Sequence, residues 1–196
     1  RLEHIPTLIV VDAAKKDEPL PIITYYHGFT SAKEHNLPFA FLMAQKGYRV
    51  LLPDSKHHGE RDEGKTGLQL QLEFWNIIHD NLKELKVIKD IMDKRGLLLN
   101  HRFGVAGTSM GGITTSSAFA VYPWIKVAGV LMGSPKTQAM AEYTIEEVKK
   151  LNVKLPYTDE ELQKQIASLK PIDLSVNMDK LMERPLFFWH GDADPV

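Results

Sequence analysis

Short apolar runs alternate along this chain with longer segments of helical periodicity, and this alternation restricts the possible folds more than any other sequence feature. The apolar runs are rich in β-branched and aromatic residues, which is typical of strands covered on both faces. Strands separated by helices in this way predict an α/β domain with a mostly parallel central sheet. The predicted strands are Thr7–Val11, Ile22–Tyr26, Arg49–Leu52, Arg102–Ala106, Val127–Met132 and Leu186–Trp189.

Three segments between these strands carry apolar residues at helical spacing. They are Asn36–Lys46, the long segment Leu68–Arg95, and a short segment of small residues that follows Gly112 and ends at Tyr122. An apolar stripe of this kind is usually the face by which a helix packs on the core. We therefore predict helices on both faces of the sheet.

The stretch 135–184 departs from this pattern, because it places about fifty residues between two predicted strands, whereas α/β connections are usually much shorter. Thr144–Glu147 and Thr158–Glu161 both match the Thr-x-x-Glu capping box, and each predicts the start of a helix. Ordinary surface helices are one interpretation. We favour a helical cap-like insertion within a single domain that spans residues 1–196, because extra helices at the carboxyl edge of a sheet often shape the substrate pocket.

Composition excludes several classes of function. The chain has 24 basic and 25 acidic residues and a net charge of −1, whereas nucleic-acid binders are normally basic. The absence of cysteine excludes disulfides, a thiolate nucleophile and Cys-ligated metal sites. No apolar run approaches the roughly 20 residues that cross a bilayer, and no signal peptide is recognisable. We therefore expect a cytoplasmic protein with neither nucleic-acid nor membrane partners.

The most informative motif is Gly-x-Ser-x-Gly with Ser109 at its centre, between a predicted strand and a predicted helix. A serine hydroxyl is a weak nucleophile that must be held clear of the backbone, near a base and near donors for an oxyanion. A sharp strand-to-helix turn does this, and Gly107 and Gly111 leave room where the chain approaches itself. A phosphate-binding loop is the alternative, but neither of its glycine motifs is present.

Two further segments follow predicted strands in the order that this chemistry requires. Gly28 lets the chain turn so that the N–H of Phe29 can face a reacting carbonyl, whereas His27 is interpreted as a structural residue at the strand end. After the last predicted strand, either Asp192 or Asp194 could accept the N–H of an imidazole and so orient a base. Turn formation is the alternative role of both aspartates.

The segments His27–Phe29, Gly107–Gly111 and His190–Asp194 together resemble the α/β-hydrolase superfamily. The likeness is strongest to small bacterial carboxylesterases of the prolyl-oligopeptidase-like and dienelactone-hydrolase-like branches. It covers roughly Ile22 to Val196 and implies the α/β-hydrolase fold, with stretch 135–184 at the position of the cap.

The resemblance also implies the roles of individual residues. Ser109 is the expected nucleophile, the backbone N–H groups of Phe29 and Met110 are the expected oxyanion-hole donors, and Asp194 rather than Asp192 is the expected triad acid. In the family the catalytic histidine follows the acid, whereas all eight histidines of this sequence precede it. We therefore expect the base beyond the last residue given, in a chain that is truncated at both ends.

The segment after the third predicted strand contains Asp54, His57, His58 and Glu60. His57 and His58 could approach the cleft. Imidazole and carboxylate groups also suit zinc or iron, but the spacing fits no metal motif, and a polar rim is the simpler interpretation. We expect neither a metal nor an organic cofactor.

The sequence therefore predicts a serine hydrolase that cleaves a carboxylic ester or related acyl substrate through an acyl-enzyme intermediate. A serine peptidase or thioesterase of the same fold, and a non-catalytic hydrolase-like module that binds a ligand, are the alternatives. The expected partner is a small-molecule acyl substrate. Phe29, Met110, Met132 and Met140 suggest an apolar pocket for its acyl or alcohol part.

Overall fold

A six-stranded sheet forms the centre of the computed structural model, which describes residues 1–150 and 155–193. β2 to β6 run parallel, and β1 pairs antiparallel with β3 at one edge. The predicted mostly parallel α/β architecture is confirmed. In the spatial order β1-β3-β2-β4-β5-β6, the strands are β1 (Thr7–Val10), β2 (Leu20–Tyr26), β3 (Arg49–Pro53), β4 (Leu98–Thr108), β5 (Val127–Leu131) and β6 (Leu186–Trp189).

Helices cover both faces of this sheet, as predicted. α1 packs on one face, where Ala40 joins Tyr25, Val50 and Leu52 in a small buried cluster. α3 and α4 pack on the opposite face and supply much of the main core. No helix of the described residues is long and apolar enough to cross a membrane. The helices are α1 (Leu37–Gln45), α2 (Gly67–Leu72), α3 (Phe74–Lys94), α4 (Met110–Val121), α5 (Thr137–Lys150) and α6 (Asp159–Ser168).

The prediction of one long helix over Leu68–Arg95 is wrong, because the chain forms two helices that meet at Glu73. A capping box between Thr66 and Gln69 begins α2. The apolar spacing continues through the break, so the pattern could not reveal it. Leu68 and Leu72 of α2 face a cavity together with the first residues of α3, and the rest of the apolar stripe of α3 packs in the main core.

One of the two predicted capping boxes is present between β5 and β6. At the start of α6, Thr158 Oγ1 accepts the N–H of Glu161, and the Glu161 carboxylate accepts the N–H of Thr158. The prediction that Thr144 begins a helix is wrong. It lies inside α5, where its hydroxyl donates to the carbonyl of Met140 at 2.8 Å. Threonine makes this bond to the preceding turn within helices, so the same four letters occur without a cap.

Candidate active site

Ser109 occupies a sharp turn between β4 and α4. Its backbone has φ 54° and ψ −117°, a region that residues other than glycine rarely adopt. Its N–H donates to the carbonyl of Leu131 at 2.9 Å, and its carbonyl accepts the N–H of Ile113 in the first turn of α4. The residue is exposed. The turn therefore presents the hydroxyl to solvent at the carboxyl edge of the sheet.

Gly107 and Gly111 allow this turn to close. A Cβ on Gly107 would collide with the carbonyl of Gly111, and a Cβ on Gly111 would collide with the carbonyl of Tyr26 at the end of β2. The turn thus packs directly against the segment after β2. There, a Cβ built on Gly28 would lie 3.6 Å from the Cβ of Ser109. The structure brings the predicted nucleophile and the predicted oxyanion segment together.

The two backbone N–H groups expected to form an oxyanion hole lie beside this serine. Met110 is the first residue of α4, and Phe29 follows Gly28. Within residues 1–150 and 155–193, neither N–H has a hydrogen-bond acceptor. Uncommitted N–H groups at a helix start next to an exposed hydroxyl can stabilise a developing negative charge. This geometry supports the prediction for Phe29 and Met110.

A buried carboxylate ties the segment after β2 (the β2 loop, residues 27–33) to the segment after β3 (the β3 loop, residues 54–61). Asp54 accepts the backbone N–H of Lys33 at 3.0 Å, its Nζ at 2.7 Å, and the N–H of Glu60 at 3.0 Å. Burial by itself raises the pKa of Asp54, but these hydrogen bonds bring it below its usual value. Asp54 therefore acts as an ionised structural anchor.

The residues of the β3 loop that were considered as metal ligands have other contacts. Asp54 is bonded to Lys33, and both ring nitrogens of His58 are hydrogen-bonded to backbone atoms. Nδ1 of His57 lies 3.0 Å from a carboxylate oxygen of Glu63. In the part of the chain that the structure describes, no group of three or more His, Asp or Glu side chains is placed to share a metal ion.

His27 is fully buried at the end of β2 and is bonded to backbone atoms at both ring nitrogens. Its Nε2 accepts the N–H of Ser55 at 3.0 Å, and its Nδ1 lies 2.8 Å from the carbonyl oxygen of Gly28. Burial lowers its pKa to about 4. The contacts agree with the structural role predicted for His27, because neither nitrogen is free to take a proton from Ser109.

The segment after β6 begins at the same edge of the sheet. β5 separates β4 from β6, and both neighbours run parallel to it. Asp192 is exposed in a turn after β6. Asp194, the predicted triad acid, lies outside the described residues, so its role stays a prediction.

A cavity of about 390 Å³ lies between Phe29, α2, the start of α3, α5 and α6. Phe29 and Met140 line it, as the sequence suggested. Met110 is instead buried in the main core, and Met132 is exposed and does not belong to the described lining. Their positions explain this, because Met110 faces inward from α4 whereas Met132 lies in a bend just after β5. Sequence reasoning missed the aromatic lining, which comprises Phe74, Trp75, Tyr143 and Tyr157.

Comparison with known proteins assigns this chain to a family. The family model for serine aminopeptidases of the S33 group matches residues 17–182. The chain is an α/β-hydrolase of the serine aminopeptidase S33 family. The solved structure of TT1662 from Thermus thermophilus shares the fold of this hydrolase with a TM-score of 0.71 at 20% identity, over 97% of this chain and 72% of that one.

Two curated relatives of this S33 hydrolase carry esterase names. It is 42% identical over 192 residues to "Putative esterase YitV" of Bacillus subtilis (strain 168), across 98% of this chain and 75% of the relative. It is 31% identical over 198 residues to "Esterase YjfP" of Escherichia coli (strain K12), across 100% of this chain and 77% of the relative. The expected resemblance to α/β-hydrolases is therefore confirmed, and the protein is a hydrolase.

Proposed function

We propose that this α/β-hydrolase is a serine esterase with Ser109 as its nucleophile. One observation carries the proposal: an exposed serine hydroxyl on a strained strand-to-helix turn lies beside the uncommitted N–H groups of Phe29 and Met110. The esterase names of the two curated relatives support an ester as the substrate.

The proposed mechanism uses these groups together with a histidine and Asp194. Ser109 Oγ attacks the ester carbonyl carbon while a histidine, oriented by Asp194, takes the hydroxyl proton. The carbonyl oxygen becomes an oxyanion that the N–H groups of Phe29 and Met110 hold. The C–O bond to the alcohol then breaks, and the histidine returns the proton to the leaving alcohol. Water, deprotonated by the same histidine, attacks the acyl carbon. The bond from that carbon to Ser109 Oγ then breaks, the histidine returns the proton to Oγ, and the carboxylic acid is released.

We further propose that stretch 135–184, with α5 and α6, forms a cap and that the cavity beneath it binds the apolar acyl part of the substrate. Phe29 supports this, because its N–H is a proposed oxyanion donor and its ring lines the cavity. An ester whose carbonyl lies at Ser109 would therefore place its apolar acyl chain next to the aromatic lining. Apolar, mostly preformed pockets of this size are typical of small-molecule sites.

The family description favours a second candidate, an aminopeptidase. Such an enzyme needs an acidic group to bind the free ammonium group of its substrate. Glu147 is the only carboxylate in the described lining of the cavity, and it is paired with Lys150 at 2.6 Å. An apolar cavity whose one described carboxylate already has a lysine partner fits an acyl chain better than an ammonium group.

Labelling and hydrolysis in the complete natural polypeptide test the proposal. We expect a fluorophosphonate to label the protein covalently and p-nitrophenyl butyrate to be hydrolysed far faster than an amino-acid p-nitroanilide. Ser109→Ala should abolish both labelling and hydrolysis, whereas Ser168→Ala, an exposed serine on α6, should change neither. Labelling that persists in Ser109→Ala would refute the nucleophile, and faster anilide cleavage would favour the aminopeptidase.

A further inference from the structure

Two histidines join the β2 loop, which carries Phe29, to the β3 loop. His27 belongs to the β2 loop, and its Nε2 accepts the N–H of Ser55 at 3.0 Å. His58 belongs to the β3 loop, and its Nε2 accepts the N–H of Thr30 at 3.0 Å. The ring centroids lie 5.2 Å apart. Each loop thus supplies an imidazole that binds a backbone N–H of the other.

Hydrogen bonds at the other ring nitrogens determine the tautomers. Nδ1 of His58 lies 2.8 Å from the carbonyl oxygen of Lys56, and Nδ1 of His27 lies 2.8 Å from that of Gly28. A carbonyl only accepts, so Nδ1 carries the proton in both rings and Nε2 is left as an acceptor. Burial lowers the pKa of both histidines. Both are therefore neutral near pH 7, as these contacts require.

Thr30 needs this contact because its own conformation is unfavourable. Its φ of 61° lies in the left-handed region, which β-branched residues rarely adopt. Its hydroxyl donates to the carbonyl of Phe29 at 2.7 Å. The ring of Phe29 in turn packs edge-on against His58, with centroids 5.6 Å apart. His58 therefore contacts both Phe29 and the residue that follows it.

The far end of the β2 loop is held independently of His58. Lys33 is buried, and its backbone N–H and Nζ both donate to Asp54. Hydrogen bonds with Asp54, Glu34 and Glu60 raise the pKa of Lys33 above its usual value although burial lowers it. Loss of the His58 contact should therefore alter the loop locally, around Thr30 and Phe29, without detaching it.

We propose that His58 is a positioning residue that orients the oxyanion donor of Phe29 by holding the N–H of Thr30. It does not touch the reacting atoms, and it acts through the conformation of the β2 loop. The inference rests on the proposed serine esterase function, because that function makes the N–H of Phe29 an oxyanion donor.

Two conservative variants separate this role from a merely structural one. In His58→Asn the amide reaches only the position of Nδ1, so it can still donate to the carbonyl of Lys56 but cannot reach Thr30. In His58→Gln the longer side chain can place its oxygen near the position of Nε2 and accept the N–H of Thr30. The Asn variant thus keeps the contact with Lys56 and the Gln variant keeps the contact with Thr30.

We expect His58→Asn to lower kcat about 10- to 100-fold with little change in KM, because removal of an entire oxyanion donor costs about 10²- to 10³-fold and this donor is only displaced. His58→Gln should stay within about fivefold of the wild-type kcat. A trifluoromethyl ketone forms an oxyanion when Ser109 attacks it. Its affinity should therefore fall in parallel with kcat across the two variants. Melting temperatures of the complete protein check that both variants fold.

Tyr122→Phe is the matched control, because it also removes one hydrogen bond, which Tyr122 donates to the carbonyl of Leu82 at 2.9 Å. Tyr122 lies at the far end of α4, about 18 Å along the helix from Met110. The kcat of this variant should be unchanged. A wild-type kcat in His58→Asn would overturn the positioning role, as would equal losses in the Asn and Gln variants. Hydrolysis that persists in Ser109→Ala would instead overturn the esterase proposal itself.

Discussion

Ser109 can adopt its strained backbone conformation because nearby glycines have no side chains. The residue adopts positive φ at the point where β4 turns into α4, and the turn closes only because Gly107 and Gly111 have no side chains. Gly111 lies against the carbonyls of Tyr26 and His27. A single glycine therefore sets both the shape of the serine turn and its distance from the β2 loop.

Replacement of Gly111 should be costly for this reason. Gly111→Ala would place a methyl group on the carbonyl of Tyr26, and we expect a loss of about 3 kcal/mol in the free energy of unfolding together with most of the esterase activity. Urea unfolding and p-nitrophenyl butyrate hydrolysis measure both effects. Gly129→Ala is the control, since a Cβ there meets only the Cβ of Ala106 at 3.6 Å. A tolerated Gly111→Ala would contradict the close packing.

The buried, neutral His27 predicts how stability depends on pH. Burial lowers its pKa to about 4 in the folded protein, against about 6.5 when unfolded. Between these values the unfolded state binds more protons, so stability rises with pH over this range. The contribution, about 3 kcal/mol, is complete above pH 6.5 and is lost as pH falls through about 4.

Urea unfolding at pH 7 and pH 4 measures this contribution. We expect His27→Gln, which cannot titrate, to reduce the loss of stability between these two pH values by about 3 kcal/mol. His101→Gln, at an exposed position, should leave the loss as in the wild type. An identical pH dependence in His27→Gln and wild type would show that His27 is not the group responsible.

At the scale of elements, the cavity arises because a continuous apolar pattern is divided between two helices. α2 ends at Glu73 and α3 begins at Phe74. Leu68 and Leu72 face the cavity together with the first residues of α3, while the apolar stripe of α3 beyond Trp75 packs in the main core. α5 and α6 complete the opposite wall, which includes Met140.

A larger side chain in that wall should shorten the acyl group that the enzyme accepts. Each buried methylene contributes about 0.8 kcal/mol, or roughly fourfold in binding. Met140→Trp should therefore lower kcat/KM for p-nitrophenyl octanoate about 10- to 100-fold and leave that for the acetate nearly unchanged. Met178→Trp, at an exposed site outside the described lining, is the control. Equal losses for both esters would contradict the assignment of the cavity to the acyl chain.

At the scale of the whole molecule, the parallel sheet brings distant segments to one edge. The carboxyl ends of β2, β3, β4 and β6 carry the β2 loop, the β3 loop, Ser109 and the segment with Asp192. This convergence is why open α/β sheets bind ligands at that edge. A catalytic acid after β6 can cooperate with Ser109 although more than eighty residues separate them in the sequence.

The choice between the two aspartates can be tested directly. Asp194→Asn should lower kcat for p-nitrophenyl butyrate by about 10⁴-fold, as expected when the base loses its orienting carboxylate. Asp192→Asn, two residues earlier, should lower it less than about fivefold. Fluorophosphonate labelling of Ser109 should slow in parallel with kcat. The reverse order of losses would make Asp192 the acid.

Sequence patterns predicted what depends on local chemistry. The parallel strands, the serine turn with its two glycines and the capping box at Thr158 each follow from a few neighbouring residues, and the structure contains all of them. The patterns failed where the same local sequence signal is compatible with two different structures. Thr144 matches a capping box inside a helix, and the stripe over Leu68–Arg95 continues through a helix break.

The sequence by itself determined the α/β class, Ser109 as the candidate nucleophile and Phe29 and Met110 as the candidate oxyanion donors, because short motifs set the backbone turns that these roles need. Only the tertiary structure decided that His58 binds Thr30, that Asp54 anchors Lys33, and that aromatic residues of α3 and α5 share one cavity. These partners are more than twenty residues apart in the chain. Their contacts arise from the packing of the loops and helices at one edge of the sheet, which no local pattern records.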